Sequence, residues 1–187
     1  MINKEKILIL GYIKKPHALK GAVLVICKGE LLATLEKPAE VNIYRADKIR
    51  DGFLINPLFT GTLQILSMKE SRPENYLVQL KGVHTIEEAE AYRGVYFGIG
   101  LNEARELFST PEDPYLFEYV DLEVLDQKGN FLGRVERVES SGYAEWIVIN
   151  TEKGEKMIPL ESEYFQNIDY ENNRIVMTNT AILDDID

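Results

Sequence analysis

Residues 7–27 read ILILGYIKKPHALKGAVLVIC. An apolar, partly β-branched run from Lys6 to Ile13 stops at Lys14-Lys15-Pro16, and a second run from Ala22 to Cys27 follows Gly21. Both have strand length, and glycine brackets the segment between them, so the stretch predicts two strands joined by a compact basic loop from Gly11 to Gly21. The second run is too continuous for a strand with one wet face, so it predicts cover on both sides. The pattern continues outward. Residues 41–44, 53–55, 61–66, 76–80 and 95–99 read as short strands. Lys37-Pro38, Asp51-Gly52, Asn56-Pro57 and Pro73-Glu74-Asn75 separate them as turns. Short strands at this spacing predict a small barrel.

Two helices are expected within this pattern. Thr85-Ile86-Glu87-Glu88 has the form of a capping box, in which hydroxyl and carboxylate satisfy each other's backbone donors. Ile86 and Ala89 share a face, and Gly94 suits the stop. A second short helix is expected over 103–108, capped by Asn102. Ser109-Thr110-Pro111-Glu112-Asp113-Pro114 then reads as a linker, because two prolines exclude a helix interior and a central strand. Beyond it, residues 122–125, 131–138, 145–150, 155–159 and 174–177 predict a second small barrel. The expected fold is mainly β: an N-terminal barrel over 1–100, a helix and linker over 101–114, and a C-terminal barrel over 115–187.

Composition excludes several classes. The 187 residues are 45% apolar and 28% charged, a globular balance. No apolar run approaches the ~20 residues of a membrane helix. The apolar stretch near the N-terminus is too short for a signal peptide core, so a cytoplasmic protein is expected. The single cysteine, Cys27, excludes an internal disulfide and a cysteine-rich zinc site, and it reads as a small buried hydrophobe. His17 and His84 sit in no metal-ligand spacing. No phosphate-binding glycine loop and no nucleophile elbow occurs, and Gly98-Ile99-Gly100 matches only a fragment of a dinucleotide motif. The inventory favours a binding protein over an enzyme, without cofactor or metal.

Charge divides the chain. The net −10 combines +3 over residues 1–100, from 14 Lys and Arg against 11 Asp and Glu, with −13 over 101–187, from 7 against 20. Solubility alone accounts for such charge as readily as partner choice does. The acidic half repels nucleic acid and suits a basic protein. Two surfaces carry binding chemistry. In the basic loop, Lys14, Lys15, His17 and Lys20 suit phosphate contact. After the linker, Tyr115, Phe117 and Tyr119 are candidate interface anchors. Their alternation also fits the first strand of the second barrel.

Taken in order, several segments resemble the RimM family of bacterial ribosome maturation factors. Gly11, Ile13, His17, Leu19 and Gly21 are similar to its N-terminal G-x-[IV]-x(3)-H-G-[LIV]-x-G pattern. Leu80-Lys81-Gly82-Val83, then Ala89 and Arg93-Gly94, resemble its L-x-G-[IV] segment and helix. Gly129 and Leu132-Gly133-Arg134-Val135 resemble its second-barrel hairpin. Met157-Ile158-Pro159-Leu160, Ile168-Asp169 and Arg174-Ile175 resemble its ending. This sequence departs from the pattern at Ala18 and Asp121, where the family has glycine, and at Pro114 and Glu118, where it has tyrosine and aspartate. Ser141-Gly142-Tyr143-Ala144-Glu145 stands for its T-G-x-N-D segment.

The resemblance implies a translation-factor-like barrel followed by a PRC-barrel, and a non-enzymatic role. It implies binding to the free 30S subunit during assembly, in support of 16S rRNA maturation. Its partner would be ribosomal protein S-nineteen in the subunit head, captured by the PRC-barrel of a monomeric factor. Anchors expected on that basis are Tyr115, Phe117 and Tyr119, with Gly142, Tyr143, Pro159 and Leu160 nearby. A stand-alone RNA-binding barrel is the alternative. The membrane-anchored reaction-centre role of other PRC-barrels would need a membrane helix, which this sequence lacks.

Overall fold

A computed structural model describes residues 5–17, 21–110 and 112–185. The chain divides into two compact units, Met1–Phe108 and Ser109–Asp187. It is mainly β, as the strand pattern predicts.

The first unit contains β1 (Ile7–His17), β2 (Ala22–Ile26), α1 (Leu31–Thr34), β3 (Ala39–Arg45), β4 (Lys48–Arg50), β5 (Phe53–Ile55), β6 (Leu58–Arg72), β7 (Asn75–Leu80), α2 (Ile86–Glu90), β8 (Tyr96–Gly100) and α3 (Leu101–Phe108). The strands follow the order β2-β7-β6-β3-β8-β1, and β1 pairs back onto β2, so six strands close a ring. The pair β5-β4 extends the sheet from the start of β1, where Leu8 faces Phe53. Ile13, Val25, Ile65, Val78, Leu80 and Phe97 have no exposure at all. Burying each such side chain stabilises the unit by about 1.5–3 kcal/mol. Val23, Leu24 and Val25 are all buried, so β2 is covered on both faces as its unbroken apolar run predicts. Gly21 sits at φ +71°, and a Cβ there would lie 2.6 Å from the Val83 carbonyl oxygen, so only glycine lets these backbones approach.

Three details differ from the sequence reading. The basic segment is mostly strand: β1 runs through Lys14, Lys15 and Pro16 to His17, and His17 pairs with Ala22. Proline is tolerated there because the pairing of β1 with β8 ends at Tyr12, which leaves one side of β1 without a strand partner to supply. The capping box forms, with Glu88 N–H donating to the Thr85 hydroxyl at 3.2 Å and Thr85 N–H donating to the Glu88 carboxylate at 3.1 Å. By contrast, α3 starts at Leu101, so Asn102 lies inside it and not at its N-cap. The buried Leu101 donates its N–H to the Lys6 carbonyl, a tertiary bond that starts the helix earlier than side-chain capping would. This helix belongs to the first unit rather than to a connecting segment.

The second unit contains β9 (Glu123–Asp126), β10 (Phe131–Ser140), β11 (Glu145–Thr151), β12 (Gly154–Pro159), β13 (Arg174–Met177) and α4 (Ile182–Asp185). Its sheet order is β12-β11-β10-β9-β13, antiparallel except for β13 beside β9. Leu122, Val124, Val135, Ile147, Ile149, Ile158, Phe165, Ile175 and Met177 form one core. Residues 116–119 form a 3-10 turn and not the first strand of the barrel. A buried carboxylate, described below, binds the turn's own backbone and gives it an alternative to a sheet ladder. Asp121 follows at φ +65°, in the left-handed region that favours the glycine of the family pattern. Aspartate is among the few side chains that occupy this region routinely.

Candidate functional site

The second unit gathers exposed aromatic, apolar and acidic groups around two adjoining hollows. One is lined by Thr110, Asp113, Pro114, Tyr115, Leu116 and Glu145. The other, of about 330 Å³, is lined by Ser140, Gly142, Tyr143, Ala144, Glu145, Leu160 and Glu161. Glu145 lines both, so the two hollows meet at this residue.

Local chemistry positions each wall. The β10–β11 hairpin closes over 141–144, where Ser141 N–H donates to the Ala144 carbonyl at 3.0 Å. Gly142 takes φ +81° at the tip, and Tyr143 projects fully into solvent at 101% relative exposure. Trp146 faces Pro159 across β11 and β12, and the Leu160 N–H donates to the Glu145 carbonyl at 2.8 Å. That bond holds Leu160 beside the first residue of β11.

The opposite wall depends on Glu118, which has no exposure. Its carboxylate accepts the Tyr115 N–H at 2.8 Å and the Tyr170 hydroxyl at 2.7 Å. A buried carboxylate is costly unless hydrogen-bonded, and these bonds repay part of that cost by fixing the turn. Tyr115 is thereby held with 42% of its surface exposed, its ring stacked on the buried Phe117 at 5.7 Å and 15°. Burial pushes the Tyr119 phenol above its ordinary range, and the carboxylates of Glu118, Glu145 and Asp113 push it further. Asp113 and Glu145 line the first hollow, and Glu145 and Glu161 line the second, so both carry acidic walls.

The structure thus brings together Tyr115, Gly142, Tyr143 and Leu160, four of the residues singled out in the sequence. Pro159 and Tyr119 are half-buried beside them, and Phe117 is a buried support beneath Tyr115. Sequence reasoning missed the roles of Glu118 and Glu145. Glu118 keeps the acidic charge of the family aspartate close to Tyr115, and that was the available signal.

In the first unit, Lys14, Lys15 and His17 are exposed on the outer half of β1, with a register shift between Ile13 and Lys15. Lys20 lies outside the described residues, as does Ala18. Cys27 is buried, and desolvation raises its thiol to about 12, the state of an inert core residue. Among the described residues no group of three or more His, Cys, Asp or Glu is arranged to hold a metal ion. Nor is any helix long and apolar enough to cross a membrane.

Comparison with known proteins places relatives over nearly the whole chain. The model of the RimM N-terminal domain matches residues 8–103, and that of the RimM PRC barrel domain matches residues 116–183. The ribosome maturation factor RimM of Thermosipho melanesiensis is 28% identical over 176 residues, covering 94% of this chain and 90% of its own. That of Fervidobacterium nodosum is 29% identical over 167 residues, covering 89% and 88%. The crystal structure of a 16S ribosomal RNA processing protein RimM from Pseudomonas aeruginosa aligns with 94% of this chain and 98% of its own, at 20% identity and a TM-score of 0.41.

Proposed function

The chain belongs to the RimM family, and from that premise we propose that it is a non-enzymatic ribosome maturation factor that binds the free 30S subunit and promotes 16S rRNA maturation. Its second unit captures ribosomal protein S-nineteen in the subunit head, and its first unit faces the neighbouring rRNA. The observation that carries this reading is the groove shared by Tyr115, Glu145, Tyr143 and Leu160. Tyrosines are typical interface anchors, and Tyr115 is held ready by its stacking on Phe117. The carboxylates beside them favour encounter with a basic protein, as ribosomal proteins are as a class.

Binding at both ends requires no chemistry. A factor that holds the ribosomal protein and the rRNA only in their productive arrangement stabilises that arrangement by its own binding free energy. Glu118 positions the tyrosine face, Glu145 supplies the central negative charge, and Lys14, Lys15, His17 and Lys20 contact phosphates from the other unit. The factor acts in the cytoplasm as a monomer.

The test is titration of the full-length chain with purified S-nineteen protein at two salt concentrations, beside a Tyr115→Ala/Tyr143→Ala variant. Binding that weakens with salt and is lost in the variant is expected. Unchanged binding by the variant would remove the groove from the interface, and no binding by the wild-type chain would overturn the partner. RNA affinity without any affinity for the ribosomal protein would favour the stand-alone RNA-binding reading.

A further inference from the structure

The outer face of the first barrel carries a row of aromatic side chains that the proposed function does not use. The registers are Phe59 opposite Tyr44 between β6 and β3, Tyr44 opposite Tyr96 between β3 and β8, and Tyr96 opposite Tyr12 between β8 and β1. One aromatic residue therefore occupies the same level on four neighbouring strands. The preceding level, Ile43 and Phe97, is buried with exposures of 5% and 0%, so the alternation of the strands places the aromatic level on the opposite face of the sheet. Ring contacts bear this out. Phe59 and Tyr44 meet edge-on at 5.7 Å, and Tyr12 and Tyr96 lie 5.0 Å apart at 41°.

The row is open at its two ends. Phe59 is 56% exposed, beside Leu58 at 65%, and Tyr12 and Tyr96 are half-buried. Between them Tyr44 is buried in a small cluster with Ile7 and Leu54, against which Tyr96 packs, and its ring lies over Gly98, where a Cβ would come within 3.0 Å of it. The charges are arranged about this level. Antiparallel pairing places Lys14 and Lys15 on β1, and Arg45 on β3, just beyond the aromatic residues at the same end of the barrel. Arg45 reaches toward the segment before β8, donating to the Ala91 carbonyl at 3.3 Å. Glu90, the acid nearest this rim in that segment, is held by Arg93 at 2.6 Å, and Asp47 follows Arg45 in the turn to β4. Burial raises the Tyr44 phenol above its ordinary value, a side-chain hydrogen bond with Asn42 lowers it, and the carboxylates of Glu103 and Glu5, the other acids acting on the row, raise it further.

We propose that this face is a stacking platform for unpaired RNA nucleotides, with Tyr12 and Phe59 at its two ends receiving bases, Tyr96 supporting the Tyr12 ring, and Lys14, Lys15 and Arg45 receiving phosphates. The inference rests on the reading of the chain as a small-subunit assembly factor whose first unit faces rRNA, and it specifies what that unit recognises. Aromatic rings on a sheet face bind bases whatever their sequence, because every base offers a π-face, while flanking cations track the backbone. The same cations without the rings would bind paired and unpaired RNA alike. The platform therefore selects single-stranded segments, the state of rRNA that has not yet closed its helices.

The test uses the full-length chain and two fluorescein-labelled RNAs, a single strand of about ten nucleotides and a hairpin with the same number of phosphates. Fluorescence anisotropy reads the affinity of wild type, Tyr12→Leu, Phe59→Leu and Tyr12→Phe. The leucine variants keep apolar volume and remove the ring, and Phe59 is exposed enough that the fold does not depend on it. The expected result is single-strand binding about tenfold weaker in each leucine variant, unchanged in Tyr12→Phe, and weaker hairpin binding throughout. Leucine variants that bind the single strand as wild type does would overturn the platform. So would equal affinity for both RNAs that depends only on salt, since cations alone would then suffice. Leucine variants that retain RNA binding but lose association with 30S subunits would assign the face to a protein and likewise overturn it. Failure of the underlying functional reading has a different signature: the wild-type chain would not associate with 30S subunits at all.

Discussion

In the first unit the exposed rings stand on a sheet face beneath Lys14, Lys15 and Arg45. In the second they stand on a 3-10 turn and a hairpin tip beside Asp113, Glu145 and Glu161. The means of holding a ring in water differ accordingly. A sheet holds its aromatic row through the ladder, which spreads the support over many backbone bonds. A turn has no ladder, so Tyr115 depends on the single buried carboxylate of Glu118 and on stacking against Phe117. The surface built on the sheet should therefore tolerate loss of one polar group, and the surface built on the turn should not.

The largest test of that contrast lies in the cores. Phe97→Ala removes the largest fully buried side chain of the first barrel and should cost about 3–5 kcal/mol in chemical denaturation followed by circular dichroism. A cost below about 1 kcal/mol would mean that the ring closed by β1 and β2 does not depend on this packing. Glu118→Ala comes next. It leaves the Tyr115 N–H and the Tyr170 hydroxyl without their acceptor and should cost about 2–4 kcal/mol, with loss of binding to the ribosomal protein. Trp146, the single tryptophan, lies in the same unit and reports the unfolding by its fluorescence. Tyr170→Phe removes only the hydroxyl bond and should cost about 1 kcal/mol while leaving the turn in place. If the two substitutions cost the same, the N–H bond to Tyr115 contributes nothing.

Acid sensitivity offers a finer comparison. The Asn130 side chain, aided by the backbone N–H groups of Asn130 and Lys128, holds the Asp126 carboxyl below its ordinary value of 3.8. The Asn172 side chain, with its backbone N–H and Arg174, does the same for Asp169. In the first unit, the backbone N–H groups of His84 and Thr85 lower Glu88 from 4.5. A carboxylate with a lowered native pKa contributes stability that is complete above its unfolded value and lost as pH falls through the folded one. Destabilisation through these groups should thus set in below about pH 5, and Asn130→Ala should return Asp126 toward its ordinary value in a carboxyl NMR titration. An unmoved Asp126 would show that the turn's backbone bonds suffice. The smallest effect is expected at Asp121. Asp121→Gly should stabilise the second unit by less than about 1 kcal/mol, as relief of the left-handed backbone at φ +65° is offset by the greater freedom of glycine when unfolded. Clear destabilisation would assign the aspartate side chain a bonding role.

Much of the fold is legible in the sequence because its signals are local. The apolar run 22–27, the turn at Pro73-Glu74 and the capping box at Thr85 each depend on neighbours a few residues away. The misread segments are those where distant groups decide. Lys15 to His17 form strand because Ala22 to Leu24 pair with them, and residues 116–119 form a turn around a carboxylate that also binds Tyr170. The candidate groove was partly legible, since Tyr115, Tyr143 and Leu160 stand out as apolar or aromatic residues near family-like motifs. Glu145 did not, because a single glutamate among twenty acids carries no sequence signal until the hairpin places it between two hollows.

By itself the sequence determined the β-class, most strand positions, the capped helix and the opposite charges of the two halves. These follow from side-chain periodicity, turn chemistry and composition, which need no knowledge of what lies across the sheet. Only the tertiary structure decided which rings reach solvent, which carboxylate is buried and which aromatic residues share one level of a barrel. Strand register and hairpin closure set those outcomes, and both join residues far apart in the chain through hydrogen bonds that no local pattern encodes.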